Sequence, residues 1–358
     1  MSERKQFIPK EMPGGASKVG NSFVSLFAKC PQKWFNTYLR PIETFAPDGT
    51  PMVTQGIRPN KTALALINGS VFHEGMAALY LSGCRDGEDT GEWNLEEALA
   101  VARGCWKERF REFEETVHAE DEWTVVQTML TDYCEWYGPN TGRTADFPNV
   151  RVAHDGEGMP LVEREFICTL PGSQHIYTMR ADLVIEHMGY LKMGEHKTSV
   201  AGFVKQRLAS AHTDPQMTGQ CWVMRELFPD TPVNGVWMNV IVKGRSLNSK
   251  WEVAERDTST RTDAQMDKFP YGVLSILGQI DESVGGFLHE FQKDTTDLEV
   301  LAQRWFPDHG TRTEVCYSYG RDCEYLPLCK GAGRESQILQ NFRPRATVEL
   351  KDMKEWTG

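Results

Sequence analysis

With 358 residues and 40% hydrophobic content the chain can bury a large core, and its length admits one big domain or two smaller ones. A formal charge of −11 argues against a general electrostatic grip on nucleic acid, which a basic surplus would announce, although a local basic track inside an acidic shell is compatible with it. No apolar run reaches the roughly 18 residues of a membrane span, and the opening MSERKQFIPKEMPGG lacks the apolar core of a secretory signal, so a cytoplasmic protein without membrane contact is expected.

Residues 1–20, rich in Gly, Lys and Pro without periodicity, read as a flexible lead-in. A first helix is predicted over 22–39 with Asn21 or Ser22 as its cap, and a second over 61–81. Asn94-x-x-Glu97, ahead of Leu95, Ala98, Leu99, Ala102, Cys105 and Trp106, reads as a capping box opening a third helix. A fourth covers 122–137 and stops at Gly138-Pro139, so this first part is mostly helical. The pattern then changes to β-branched and aromatic runs at 161–170, 175–187 and 190–199, separated by Pro171-Gly172 and Met188-Gly189 as in an antiparallel meander. A helix near 213–228 and a strand at 233–243 follow. That order fits an α/β fold with a mixed β-sheet core flanked by helices. Beyond Tyr271 a helix is predicted over 286–293, then a loop-like segment holding the last cysteines.

Two of these strands carry a carboxylate–carboxylate–lysine pattern. Asp182 falls near the middle of one and Glu195 near the end of the next, so a hairpin turning at Met188-Gly189 brings them side by side. Glu195 and Lys197, two apart, share a strand face. A lone Glu-x-Lys is ordinarily a solvated strand edge. Here Asp182 sits in the apolar run ADLVI and Glu195 follows Met193-Gly194, where unpaired charges would be costly. Carboxylates so placed suit Mg²⁺ or Mn²⁺, and a cation with a nearby ammonium is what phosphodiester hydrolysis requires.

At these residues RADLVIEHMGYLKMGEHKTS resembles the RecB-like nucleases of the P-D-(D/E)-x-K superfamily, which implies a restriction-endonuclease-like fold. The resemblance implies that His73, Asp182, Glu195 and the main-chain carbonyl of His196 hold the metal and that Lys197 positions the attacking water or steadies the phosphorane. It also implies that Gln216, on the helix after the lysine strand, orients Lys197 or the substrate, while Gln220 stands where the family usually has tyrosine. Glu165 is a further candidate ligand one strand earlier, with Glu163 beside it as the alternative.

The chain has nine cysteines, which in the cytoplasm are ligands, nucleophiles or core thiols rather than a disulfide framework. Cys316, Cys323 and Cys329 crowd into CYSYGRDCEYLPLC and need a fourth partner, for which Cys30 is the natural candidate; the other five read as buried thiols. The arrangement resembles the iron–sulfur branch of the same nucleases, including the AddB nuclease domain and the CRISPR-associated exonucleases, and implies a four-iron four-sulfur cluster. Six residues rather than two separate Cys316 from Cys323, and structural Zn²⁺ stays open as the other metal.

The expected layout is a single nuclease domain over 21–330, with a helical insertion at 94–137, the cysteines stapling its two ends, and a C-terminal tail over 331–358. The expected activity is that of a metal-dependent DNA exonuclease, of a kind found in bacteriophage or CRISPR-linked systems, acting on single strands or free ends admitted past Trp106, Trp123 or Trp136. A non-catalytic DNA-binding module and a restriction-like endonuclease are the competing readings.

Overall fold

The computed structural model describes residues 6–9, 18–60, 64–110, 119–139, 150–199, 201–242, 256–293, 297–308, 313–318, 321–330 and 338–354. The predicted first helix is two helices, α1 (Asn21–Lys29) and α2 (Pro31–Tyr38). Pro31 denies the preceding residue the helical region, so Cys30 is extended (φ −158°, ψ 98°), and its Sγ caps α2 by accepting the Lys33 N–H at 3.4 Å. The cap of α1 is Gly20, with no side-chain hydrogen bond, rather than Asn21 or Ser22.

Strands β1 (Glu43–Phe45), β2 (Pro51–Thr54) and β3 (Ile57–Pro59), which the sequence reading missed, come next, then α3 (Leu64–Ser82) and the small hairpin β4 (Cys84–Arg85) and β5 (Glu88–Asp89). Helix α4 (Leu95–Phe110) opens as expected: Asn94 Oδ1 accepts the Glu97 N–H at 3.1 Å, and the Asn94 amide donates to the Glu97 carboxylate at 3.3 Å. After α5 (Ala119–Tyr137) come β6 (Val150–Val152), β7 (Val162–Thr169), β8 (Ile176–His187) and β9 (Tyr190–Ser199), then α6 (Val204–Ala211), α7 (Pro215–Leu227), β10 (Val233–Val242) and β11 (Arg256–Ser259).

The helix predicted over 286–293 is only the end of α8 (Asp263–Phe291), 29 residues long. The helix carries Pro270 inside it. Gly286 is required by packing, because a Cβ there would run into the Trp305 ring. Helix α9 (Leu298–Trp305), β12 (Tyr317–Ser318), β13 (Arg321–Asp322), β14 (Phe342–Pro344) and β15 (Thr347–Glu349) follow, with short helical turns at Thr313–Cys316, Leu326–Cys329 and Leu350–Lys354.

The chain divides into two compact units, one formed by residues 61–168 and 179–269, the other by 1–60, 169–178 and 270–358. The first holds a mixed sheet in the order β11-β10-β9-β8-β6, with β7 also paired to β8. Strand β9 runs antiparallel to β8 and parallel to β10. The β8–β9 turn at Met188-Gly189 has both residues left-handed, at φ 53° and 80°, as a two-residue hairpin with the sheet's twist demands. Helices α3, α4 and α5 bury Val71, Phe72, Met76, Ala102, Trp106, Leu130 and Tyr133 in one core with Leu183, Ile185 and Ile241 of the strands. Trp106 is therefore a core residue, 5% exposed and stacked on Phe110, not a platform for bases. Helix α7 packs on β9 and β10.

In the second unit Phe7, Phe23, Phe27, Trp34 and Phe306 form an aromatic cluster. Within the lead-in expected to be flexible, residues 6–9 are tied down: the Phe7 N–H donates to Asp281 at 3.0 Å, and the Gln6 side chain both donates to and accepts from the Ile176 backbone. Within the expected C-terminal tail, β14 pairs with β3 and β15 with β2.

Candidate active site

The hairpin register sets Leu183 against Gly194, so Asp182 and Glu195 are neighbours across the β8–β9 ladder. Strand alternation turns Glu195 towards α7 and the ring of His196 towards α3 and α5, where it lies buried against Tyr80 and Tyr133. The His196 side chain is thus occupied in the core. Its backbone N–H donates to Asp182 Oδ2 at 2.9 Å and ties the two strands at the carboxylate.

Glu195 is 1% exposed, and three side-chain donors converge on it. Its Oε1 pairs with the Lys197 ammonium and accepts from the Gln216 amide at 3.0 Å; its Oε2 accepts from the Gln220 amide at 2.8 Å. Helix α7 supplies both glutamines, four residues apart and hence on one face, and Asp214 starts that helix by accepting the Gln216 N–H at 2.8 Å. Gln216 was expected to orient Lys197 or the substrate. It reaches Lys197 only through the shared Glu195 oxygen. Gln220, where the family pattern has tyrosine, fixes the other oxygen.

On the far side of Asp182 stands His73 of α3, its Nδ1 3.5 Å from Asp182 Oδ2 and 3.6 Å from Glu163 Oε1. His73, Glu163 and Asp182 each offer a ligand atom within 4.8 Å of the others, a spacing a single cation can span. The carboxylate from β7 is therefore Glu163, and Glu165 is exposed. Regular alternation would point the two acids the same way, but Glu163 has a left-handed φ of 47° and is partly buried where Glu165 is exposed. No sequence pattern marks such a backbone conformation at a glutamate.

The electrostatics follow from burial and crowding. Burial raises the Asp182 carboxyl, and the nearby Glu195 charge raises it further, to about 7. Burial works against Glu195 ionising too, but Lys197 and the Gln220 amide outweigh it and hold that carboxyl below the usual range. Burial disfavours charge on Lys197, yet Glu195 and Asp182 outweigh it and keep its proton above the ordinary lysine value. His73 is likewise raised, because Asp182 and Glu163 overcome its burial. Two adjacent carboxyls pushed apart in acidity, beside a histidine and a third acid, form a donor set of hard oxygens and one imidazole, which suits a divalent cation.

In the other unit Cys30, Cys316, Cys323 and Cys329 line one cavity, together with Lys29, Lys33 and Lys330. The six-residue gap after Cys316 is closed by the β12–β13 hairpin, which pairs Tyr317 with Asp322 and leaves the Cys323 N–H donating to the Cys316 carbonyl at 2.7 Å. The unusual spacing therefore still brings the two thiols to one place. Burial raises the Cys30 and Cys323 thiols, and Cys329 reaches about 12. An all-sulfur set fits iron or zinc, and the lysines fit a cluster that carries negative charge. Of the other five cysteines, expected as buried thiols, Cys221 is buried, whereas Cys84, Cys105, Cys134 and Cys168 are partly exposed.

A family model described as the PD-(D/E)XK nuclease superfamily matches residues 21–330. No curated protein matches the chain. Among the described residues no helix is long and apolar enough to cross a membrane.

Proposed function

The chain belongs to the PD-(D/E)XK nuclease superfamily, and on that premise we propose that it is a Mg²⁺- or Mn²⁺-dependent deoxyribonuclease that degrades DNA from free ends. The observation that carries the reading is the buried Glu195 carboxylate, held by Lys197, Gln216 and Gln220 beside the His73–Glu163–Asp182 group. A carboxylate at 1% exposure needs several donors to stay ionised, and this one has them ready for a cation.

His73, Glu163, Asp182, Glu195 and the His196 carbonyl would hold the cation. When bound it draws charge from a phosphate oxygen and acidifies a water. Lys197 stands over Glu195 with its proton retained, able to orient the attacking oxygen or meet the charge that develops on phosphorus. Gln216 and Gln220 fix both Glu195 oxygens, so the carboxylate cannot swing when the substrate arrives. On the four cysteines we place a four-iron four-sulfur cluster, with zinc as the alternative metal, stapling distant parts of the chain. The setting we infer is DNA end processing in recombination, repair or phage DNA metabolism in the bacterial cytoplasm.

The net charge of −11 supports action at ends, since capture of continuous duplex through many phosphate contacts needs a basic surface. A linear substrate and a covalently closed circle of the same sequence, incubated side by side with Mn²⁺, decide the point. Degradation of the line with survival of the circle is expected; equal rates would make the enzyme an endonuclease.

A further inference from the structure

Arg180 stands on β8 two residues before Asp182, so the two side chains leave the strand on one face. Its side chain is 52% exposed, and its Nε lies 3.1 Å from Glu163 Oε2. The other Glu163 oxygen faces His73 Nδ1 at 3.6 Å. Glu163 therefore divides its oxygens between the metal-binding group and a guanidinium. Glu163 also has a left-handed backbone, and such conformations persist where a site requires them.

Three carboxylates, Glu163, Asp182 and Glu195, face three cationic side chains, His73, Lys197 and Arg180. A divalent cation taken up by the carboxylates leaves the site with surplus positive charge and reduces the hold of Glu163 on Arg180. Arg180 is half exposed and water can take over its hydrogen bond, so releasing it costs little. What a freed, solvent-facing guanidinium beside such a site fits best is a phosphate oxygen, which matches its planar fork of donors.

We propose that Arg180 is a phosphate clamp: Glu163 parks it beside the site, and once the cation engages Glu163 it binds a non-bridging oxygen of the substrate strand next to the scissile bond. The assignment rests on the nuclease reading above and adds to it the residue that grips the strand.

The test separates metal from substrate. Mn²⁺ is titrated calorimetrically into the protein without DNA, and binding of a labelled single-stranded oligonucleotide is followed by anisotropy with Ca²⁺ in place of Mn²⁺ at several salt concentrations. Arg180→Ala is expected to bind Mn²⁺ as tightly as the parent protein or more tightly. Its DNA dissociation constant should rise about tenfold, with a salt slope smaller by about 0.7, the loss of one phosphate contact to a single strand. Arg180→Lys keeps the slope and recovers part of the affinity. Weaker Mn²⁺ binding in Arg180→Ala would make the arginine a prop for Glu163 and overturn the clamp, as would an unchanged DNA affinity and slope. Absence of Mn²⁺ uptake by the parent protein would overturn the metal site and the clamp together.

Discussion

At the scale of single residues the site is organised around Glu195, and each neighbour has a separable task. Gln220→Ala removes the donor to Oε2 while leaving Lys197 and Gln216 on Oε1. We expect Mn²⁺ affinity and cleavage to fall by about 10- to 100-fold, the usual effect of losing a group that orients a ligand; a variant with parent-like Mn²⁺ titration would remove Gln220 from the site. Metal uptake should also depend on pH. The Asp182 carboxyl, raised to about 7, keeps its proton below that value, and the cation must displace it. Apparent Mn²⁺ affinity should therefore fall about tenfold per unit as pH drops below 7, more steeply with the His73 proton included. Flat affinity between pH 5 and pH 8 would contradict the raised carboxyl. Asp182, Glu195 and Lys197 were legible in the sequence because a strand's period of two is written in its residues. Glu163 stood only as the alternative to Glu165, because nothing in the residues announces its left-handed φ. Gln220 was left in doubt by the departure from tyrosine, yet its amide serves Glu195 directly.

At the scale of elements, patterning located the site's strands within one or two residues, since Met188-Gly189 and the apolar runs fix β8 and β9 together. Helix boundaries were less visible. The Cys30-Pro31 pair carried the break between α1 and α2, a signal that apolar periodicity on both sides masked. Helix α8 was read short: only 286–293 was expected of a helix that spans Asp263–Phe291, and within it Gly286 serves the close approach of Trp305, whose indole N–H reaches Glu290 of the same helix at 3.1 Å. Gly286→Val should therefore destabilise the protein by about 1–3 kcal/mol through overpacking, although valine is a tolerated helix residue, and urea denaturation reads this as a lower midpoint. A midpoint equal to the parent's would show that Trp305 does not pack there. The short strands β1, β2 and β3 escaped notice because three or four residues hold too few periods to stand out.

At the scale of the whole molecule the chain carries both a PD-(D/E)XK nuclease fold and a thiol cavity lined by residues nearly three hundred positions apart in sequence. Cys30 both caps α2 and lines that cavity, so its loss should be felt twice. Protein purified without oxygen is expected to be brown with broad absorption near about 400 nm, as iron–sulfur centres are and zinc sites are not. Cys30→Ala should lose colour and solubility together. Full metal content in Cys30→Ala alongside loss in Cys323→Ala would break the link between the two ends. The central claim, that phosphodiester cleavage is carried out at Glu195 and its neighbours, is tested most directly by incubating end-labelled DNA with the parent protein and with Glu195→Ala, each with Mn²⁺ and with EDTA. The account expects cleavage by the parent protein with Mn²⁺ alone and a loss of at least about three orders of magnitude in the folded variant; undiminished cleavage by Glu195→Ala would contradict it.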